Sequence, residues 1–304
     1  MPLDPDIAAV IDALNAGFPR VTTMTGAELR ELIRGRRQQP GEPEPVDSVV
    51  DKTVAGPAGD IPVRIYTPSA TPEAIVVFAH GGGFVFCDLD THDGLCRSLC
   101  NGVGAVVVSV DYRLAPEHRW PVAAEDVYTV TRWAAGLGGP LVVAGDSAGG
   151  NLAAVNTLMA RDRGGPEIAA QVLFYPVLDA DFDTDSYRAY PTGYYNSREA
   201  MIWYWDQYAP DPADRAHPYA APLRAQLSGL PPAVVVTAGF DPLCTEGDRY
   251  AAALAEAGVR VVHRHYPGAV HGFLTMPDIK LGARVREQAW RDLRGVLGPQ
   301  TSPG

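Results

Sequence analysis

Gly145-Asp146-Ser147-Ala148-Gly149-Gly150 carries the clearest chemical pattern, a G-x-S-x-G turn directly after the apolar run Leu141-Val142-Val143 and directly before a stretch with helical spacing. A serine hydroxyl attacks carbonyl carbon only when a base takes its proton. The turn contributes by lifting Ser147 Oγ clear of the sheet, and the following helix start faces developing negative charge. Upstream, Ala79-His80-Gly81-Gly82-Gly83-Phe84 follows the apolar run Ile75 to Phe78. Three consecutive glycines cost backbone entropy, but backbone without side chains can approach a substrate closely and aim N–H groups at a tetrahedral oxyanion. Gly82, Gly83 and Ala148 are the expected donors. The loop has neither the G-x-G-x-x-G spacing nor the Lys-Ser/Thr of a phosphate-binding loop.

A serine nucleophile on this kind of turn needs a carboxylate and a histidine, in the chain order Ser, Asp or Glu, His, each just beyond a strand. Asp241 follows Val-Val-Val-Thr-Ala-Gly-Phe, and His271 stands in Gly268-Ala269-Val270-His271-Gly272-Phe273 after the last strand. Among the other histidines, His263 and His265 share one face of that strand, His80 belongs to the glycine loop, and His92, His118 and His217 come too early. Asp179 also follows a strand, and Glu246 lies a helical turn beyond Asp241; placement favours Asp241. Asp146 reads as a structural acceptor that braces nearby loops.

These residues need a scaffold, and eight short runs rich in branched residues supply it: 46–54, 61–66, 74–78, 105–110, 141–143, 171–175, 233–237 and 259–266. The first two alternate polar and apolar around Gly-Pro-Ala-Gly-Asp, as in an antiparallel hairpin with one solvated face. The later ones are continuously apolar, as a sheet buried on both faces requires, and helical spacing recurs over 122–135, 148–161, 246–257 and 285–297. The expected fold class is α/β, with a mostly parallel eight-stranded sheet flanked by helices and a helical cap. Residues 1–45 read as N-terminal cap helices and a linker, and 46–304 as the catalytic domain, interrupted at about 179–230 by an insertion too long for a plain loop.

Composition narrows the rest. The chain has 304 residues, 46% hydrophobic and 20% charged, ample for a core and unlike a disordered or fibrous protein. A net charge of -11 argues against nucleic acid and against stable membrane association, since no basic field is available for phosphate. Asp4 and Asp6 stand where a secretory signal carries positive charge, and no run approaches the roughly 20 apolar residues of a membrane span, so a cytoplasmic protein is expected. Cys87, Cys96, Cys100 and Cys244 read as reduced thiols. Cys96 and Cys100, four apart, have no neighbouring pair to complete a tetrahedral metal set, so neither metal nor cofactor is expected.

Taken together, His80-Gly81-Gly82-Gly83-Phe84, Asp111-Tyr112-Arg113-Leu114-Ala115-Pro116-Glu117-His118, Gly145 to Gly150, Asp241-Pro242-Leu243 with Glu246-Gly247, and His271-Gly272-Phe273 resemble the hormone-sensitive-lipase-like (family IV) carboxylesterases of the alpha/beta-hydrolase fold. The resemblance spans about residues 40 to 297. It implies hydrolysis of short- to medium-chain acyl esters, small molecules, by a Ser147-Asp241-His271 triad without a cofactor. It further implies a cap over the site, structural charged residues in Asp111-Tyr112-Arg113, and a monomer or a homodimer joined through an edge strand. Phe18, Tyr194, Tyr195, Trp203, Tyr204, Trp205 and Tyr208 are candidates to line an acyl pocket, although Trp203 to Tyr208 at helical spacing suit cap core better. Phe84 and Phe273 are expected to pack below the site. An amidase, lactonase or acyltransferase would use the same triad, and a non-catalytic receptor of this fold would be marked by a lost triad member. An interfacial lipase would expose a larger apolar lid than one punctuated by Asp181, Asp183, Asp185, Arg188 and Asp206.

Overall fold

The apolar runs pair into one sheet in a computed structural model that describes residues 2–36, 42–276 and 279–298. Its strands are β1 (Ser48–Gly56), β2 (Gly59–Thr67), β3 (Ala74–Ala79), β4 (Ala105–Val110), β5 (Leu141–Asp146), β6 (Ala170–Phe174), β7 (Ala233–Phe240) and β8 (Val261–Val270), in spatial order β1-β2-β4-β3-β5-β6-β7-β8. β2 runs antiparallel to both of its neighbours, β1 and β4; β1 and β2 turn over Pro57-Ala58, with Gly56 opposite Gly59. The remaining pairs are parallel.

Parallel strands need crossover helices, and those helices explain why β3, β5 and β6 are buried along their whole length. Ile75 and Val77 of β3, with Val143, Leu173 and Val235, face α5 (Val122–Ala134), α6 (Ala148–Asp162) and α10 (Cys244–Glu256). The alternate residues Val76, Phe78, Val142, Val172 and Val234 face α4 (Asp93–Val103) and α11 (Lys280–Leu297). The period of two thus divides the core into two layers, one on each side of the sheet. Helix α4 lies outside the helical stretches legible from spacing. It holds Cys96 and Cys100, both buried among apolar neighbours as small core groups.

Strand ends differ from the sequence reading where pairing outlasts the apolar run. β5 continues to Asp146, so the nucleophile turn starts directly at the end of the ladder. β8 extends through Pro267 and Gly268, with a register shift opposite Ala238 and Phe240; an edge position makes proline's missing N–H harmless. The N-terminal segment forms α1 (Pro5–Ala8), α2 (Ile11–Gly17) and α3 (Gly26–Gly35), the last closed by a Thr25/Glu28 capping box. Residues 37–41 of the expected linker lie outside the described residues. The insertion carries α7 (Asp185–Ala189), α8 (Arg198–Tyr208) and α9 (Pro212–Arg215). Among the described residues no helix is long and apolar enough to cross a membrane.

Candidate active site

Ser147 joins β5 to α6 at φ 55° and ψ -119°, in the left-handed half of backbone space that a β-carbon disfavours. Its surroundings hold that conformation in place. Ser147 N–H donates to Phe174 O at 2.8 Å, and a Cβ on Gly149 would come within 1.9 Å of Ala79 O. A Cβ on Gly145 would meet the Gly149 backbone at 2.3 Å. The small residues of the pattern therefore permit close passage of β3, β5 and α6 around one strained serine.

The fold brings Ser147, Asp241 and His271 together. His271 Nδ1 lies 2.7 Å from Asp241 Oδ2, and His271 Nε2 lies 2.9 Å from Ser147 Oγ. With Nδ1–H donated to the carboxylate, the Nε2 lone pair faces the serine hydroxyl. Asp241 is fully buried, and its other oxygen accepts the Leu243 N–H at 3.0 Å, which fixes the carboxylate plane. Tyr175 packs against the imidazole with ring centroids 4.8 Å apart. The rival carboxylates are engaged elsewhere: Asp179 binds Arg224 at 2.6 Å, and Glu246 accepts the Leu178 N–H at 2.8 Å.

The glycine loop is fixed from behind. Asp146 Oδ1 accepts the Gly81 N–H at 2.9 Å and stands 3.1 Å from His92 Nε2, while Tyr112 donates its hydroxyl to His80 O at 2.7 Å. Asp146 is thus the brace expected of it, and His92 is a member that sequence order passed over. Burial alone would raise the Asp146 pKa, but the facing His92 imidazole pulls it below the usual carboxylate range. Burial, with His92 second, holds His80 down to about 4, a neutral ring whose Nδ1 sits 2.7 Å from Gly81 O. Because the Gly81 N–H is occupied, the loop's candidates for an oxyanion are Gly82 at φ +104° and Gly83 at φ +58°. Both line the cavity that holds Ser147 and His271. Ala148 is the fully buried first residue of α6, where a helix leaves its N–H groups without intrahelical acceptors. Arg113 grips Asp126 through two hydrogen bonds of 2.9 and 2.6 Å, a structural pair away from the cavity.

A family model described as alpha/beta hydrolase fold matches residues 76–275. The chain belongs to that family. It is 45% identical to the carboxylic ester hydrolase LipN of Mycobacterium tuberculosis over 78% of this chain and 67% of that protein. It is 36% identical to an ethyl acetate hydrolase of Pseudomonas putida, over 92% of this chain and 94% of the other. Among solved structures, a thermostable esterase from Pseudomonas putida superposes with a TM-score of 0.92 at 34% identity, covering 98% of this chain and 99% of that one.

In this alpha/beta hydrolase the cavity over Ser147 measures about 90 Å³. Phe18, Tyr195 and Tyr204 of the anticipated aromatics reach it, joined by Phe86, Met201 and Thr275, which sequence spacing left unmarked. Trp205 and Tyr208 are fully buried instead, with the Tyr208 ring stacked on Phe84 at 3.8 Å. Tyr194 packs on Phe240 at 4.9 Å. Phe273 is buried beneath His271, 5.8 Å from the Tyr175 ring. A helical repeat marks one face as apolar without saying which of its residues meets a void, so the division between core and lining was not readable from α8 alone.

Proposed function

We propose that this alpha/beta hydrolase is a serine carboxylesterase for short- to medium-chain acyl esters, with Ser147 as nucleophile, His271 as base and Asp241 as its orienting carboxylate. His271 takes the hydroxyl proton as Ser147 Oγ attacks the ester carbonyl; the N–H groups of Gly82, Gly83 and Ala148 receive the oxyanion. His271 then protonates the departing alcohol, and water, activated by the same imidazole, releases the acid from the acyl-enzyme. Each oxyanion donor contributes roughly 10² to 10³ in rate. The observation that carries this reading is the unbroken path from Asp241 to His271 to Ser147 at 2.7 and 2.9 Å, opening into a cavity walled by the glycine loop. The names of the relatives point to the same class of substrate.

The cavity wall is largely aromatic, with Phe18, Phe86, Tyr195 and Tyr204 beside the glycine loop, which suits an apolar acyl group. We read residues 46–304 as the catalytic domain and residues 1–45 with the insertion at about 179–230 as its cap, a division supported by Phe18 and Tyr195 sharing the cavity wall. Among the described residues the outer edge of β8 has no neighbouring strand, and a second copy pairing there would make a homodimer. Turnover of p-nitrophenyl acetate, butyrate, octanoate and palmitate, with Ser147→Ala as control, tests the assignment. Serine-dependent hydrolysis greatest for the short esters is expected, and turnover retained by a folded Ser147→Ala protein would remove the nucleophile.

A further inference from the structure

On the β8 edge, away from the cavity, four polar side chains converge that ester hydrolysis does not use. His263 and His265 alternate on one face of β8, opposite Val235 and Thr237 of β7. Helix α10 covers the same face and sends Cys244 and Asp248, one turn apart, toward them. Cys244 Sγ lies 3.6 Å from Asp248 Oδ2 and 3.9 Å from His265 Nδ1, and that nitrogen lies 3.8 Å from Asp248 Oδ1. A tetrahedral zinc ion with Zn–S near 2.3 Å and Zn–N or Zn–O near 2.0 to 2.2 Å sets such ligand separations at about 3.3 to 3.6 Å. One ligand atom from each of Cys244, Asp248 and His265 lies within 4.8 Å of the other two, close enough for side-chain rotations to draw them to that triangle. His263 Nε2 stands 3.1 Å from Asp248 Oδ1, where an outer partner would hold a ligating carboxylate in place.

We propose that Cys244, Asp248 and His265 form a binding site for a borderline-soft divalent transition metal ion of the Zn²⁺ class, with His263 orienting Asp248 and a water filling the fourth position. One sulfur, one imidazole nitrogen and one carboxylate oxygen make a mixed donor set that suits zinc rather than calcium or magnesium. Burial, then the Asp248 and Asp241 carboxylates, push the Cys244 thiol upward, so the metal-free group holds its proton and donates it toward Asp248 Oδ2. Binding exchanges that S–H bond for a metal–sulfur bond and releases one proton to solvent. Thr237 Oγ1, 2.8 Å from Asp248 Oδ1 and 3.1 Å from both histidines, ties the same atoms together by hydrogen bonds when no metal is present.

Cobalt(II), which reports thiolate ligation by near-ultraviolet charge-transfer absorption, is the probe, titrated into the full-length chain and then displaced with Zn²⁺. One equivalent should bind with a charge-transfer band and be displaced by zinc. Cys244→Ser should abolish the band, and His265→Ala should weaken binding by more than about 100-fold. His263→Ala should cost the roughly 10- to 100-fold typical of an outer-shell partner. Metal-free turnover of all three variants should stay at the wild-type level, which establishes that they fold. Absence of the band in the wild type, its survival in Cys244→Ser, or unchanged affinity in His265→Ala would reduce the cluster to hydrogen bonds alone. If Cys244→Ser fails to fold, the His265→Ala titration decides.

Discussion

Ser147, at φ 55°, depends on neighbours distant in sequence, and the identity of its carboxylate partner is the sharpest question at the residue scale. Asp241 and Asp179 each follow a strand, so each satisfies the positional rule; what separates them is the company they keep. Asp241 meets His271 Nδ1 at 2.7 Å, whereas Asp179 neutralises Arg224 at 2.6 Å. Asp241→Asn should lower kcat for p-nitrophenyl butyrate by about 10⁴-fold, since the amide no longer holds the required tautomer. Asp179→Asn should leave kcat within a few-fold; the reverse ranking of the two variants would overturn the triad as assigned. The triad and glycine loop were legible because their chemistry dictates local sequence: a tight turn, a run of glycines, residues at strand ends. His92 was not legible, because its role arises only when the loop bearing it folds back to within 3.1 Å of Asp146.

At the scale of elements, the start of α10 ties the Asp241 loop to the base of the insertion. Glu246 accepts the Leu178 N–H, Ser186 Oγ donates to Pro242 O at 2.5 Å, and the Thr245 N–H donates back to Ser186 Oγ at 3.1 Å. Burial raises the Glu246 pKa well above its unfolded value, with the Asp179 and Asp241 charges adding to the effect against the opposing Leu178 N–H. A carboxyl whose folded pKa is raised contributes its full stability below the unfolded pKa near 4.5 and loses it as pH rises through the folded value. Glu246→Gln removes that loss and keeps an acceptor for Leu178. The Tm of the variant relative to wild type should therefore become more positive from pH 4 to pH 8 in matched thermal melts. A difference that stays constant with pH would show that Glu246 does not titrate as its burial demands. Sequence placed Glu246 a turn beyond Asp241 and could say no more, because its partner backbone lies 68 residues away.

Across the whole molecule, the N-terminal segment and the insertion meet over the cavity. Asn15 donates to Gly193 O and accepts the Tyr195 N–H, both at 2.8 Å, and Phe18 packs edge-on to Tyr195 with centroids 4.9 Å apart. Phe18→Ala should enlarge the cavity from the N-terminal side and shift kcat/KM from the acetate toward the octanoate ester by several-fold, with kcat on acetate little changed. An unaltered chain-length profile would place the acyl group elsewhere. The sequence by itself determined the sheet, its crossover helices other than α4 and the chain order of Ser147, Asp241 and His271, because periodicity, turn chemistry and strand-end placement are written in neighbouring residues. Tertiary structure alone decided which aromatics line the cavity, that His92 braces Asp146, and that Cys244 and Asp248 stand against His265. Each of those outcomes depends on which side chains from remote segments face one another across a gap of a few ångströms, and spacing along the chain carries no record of that.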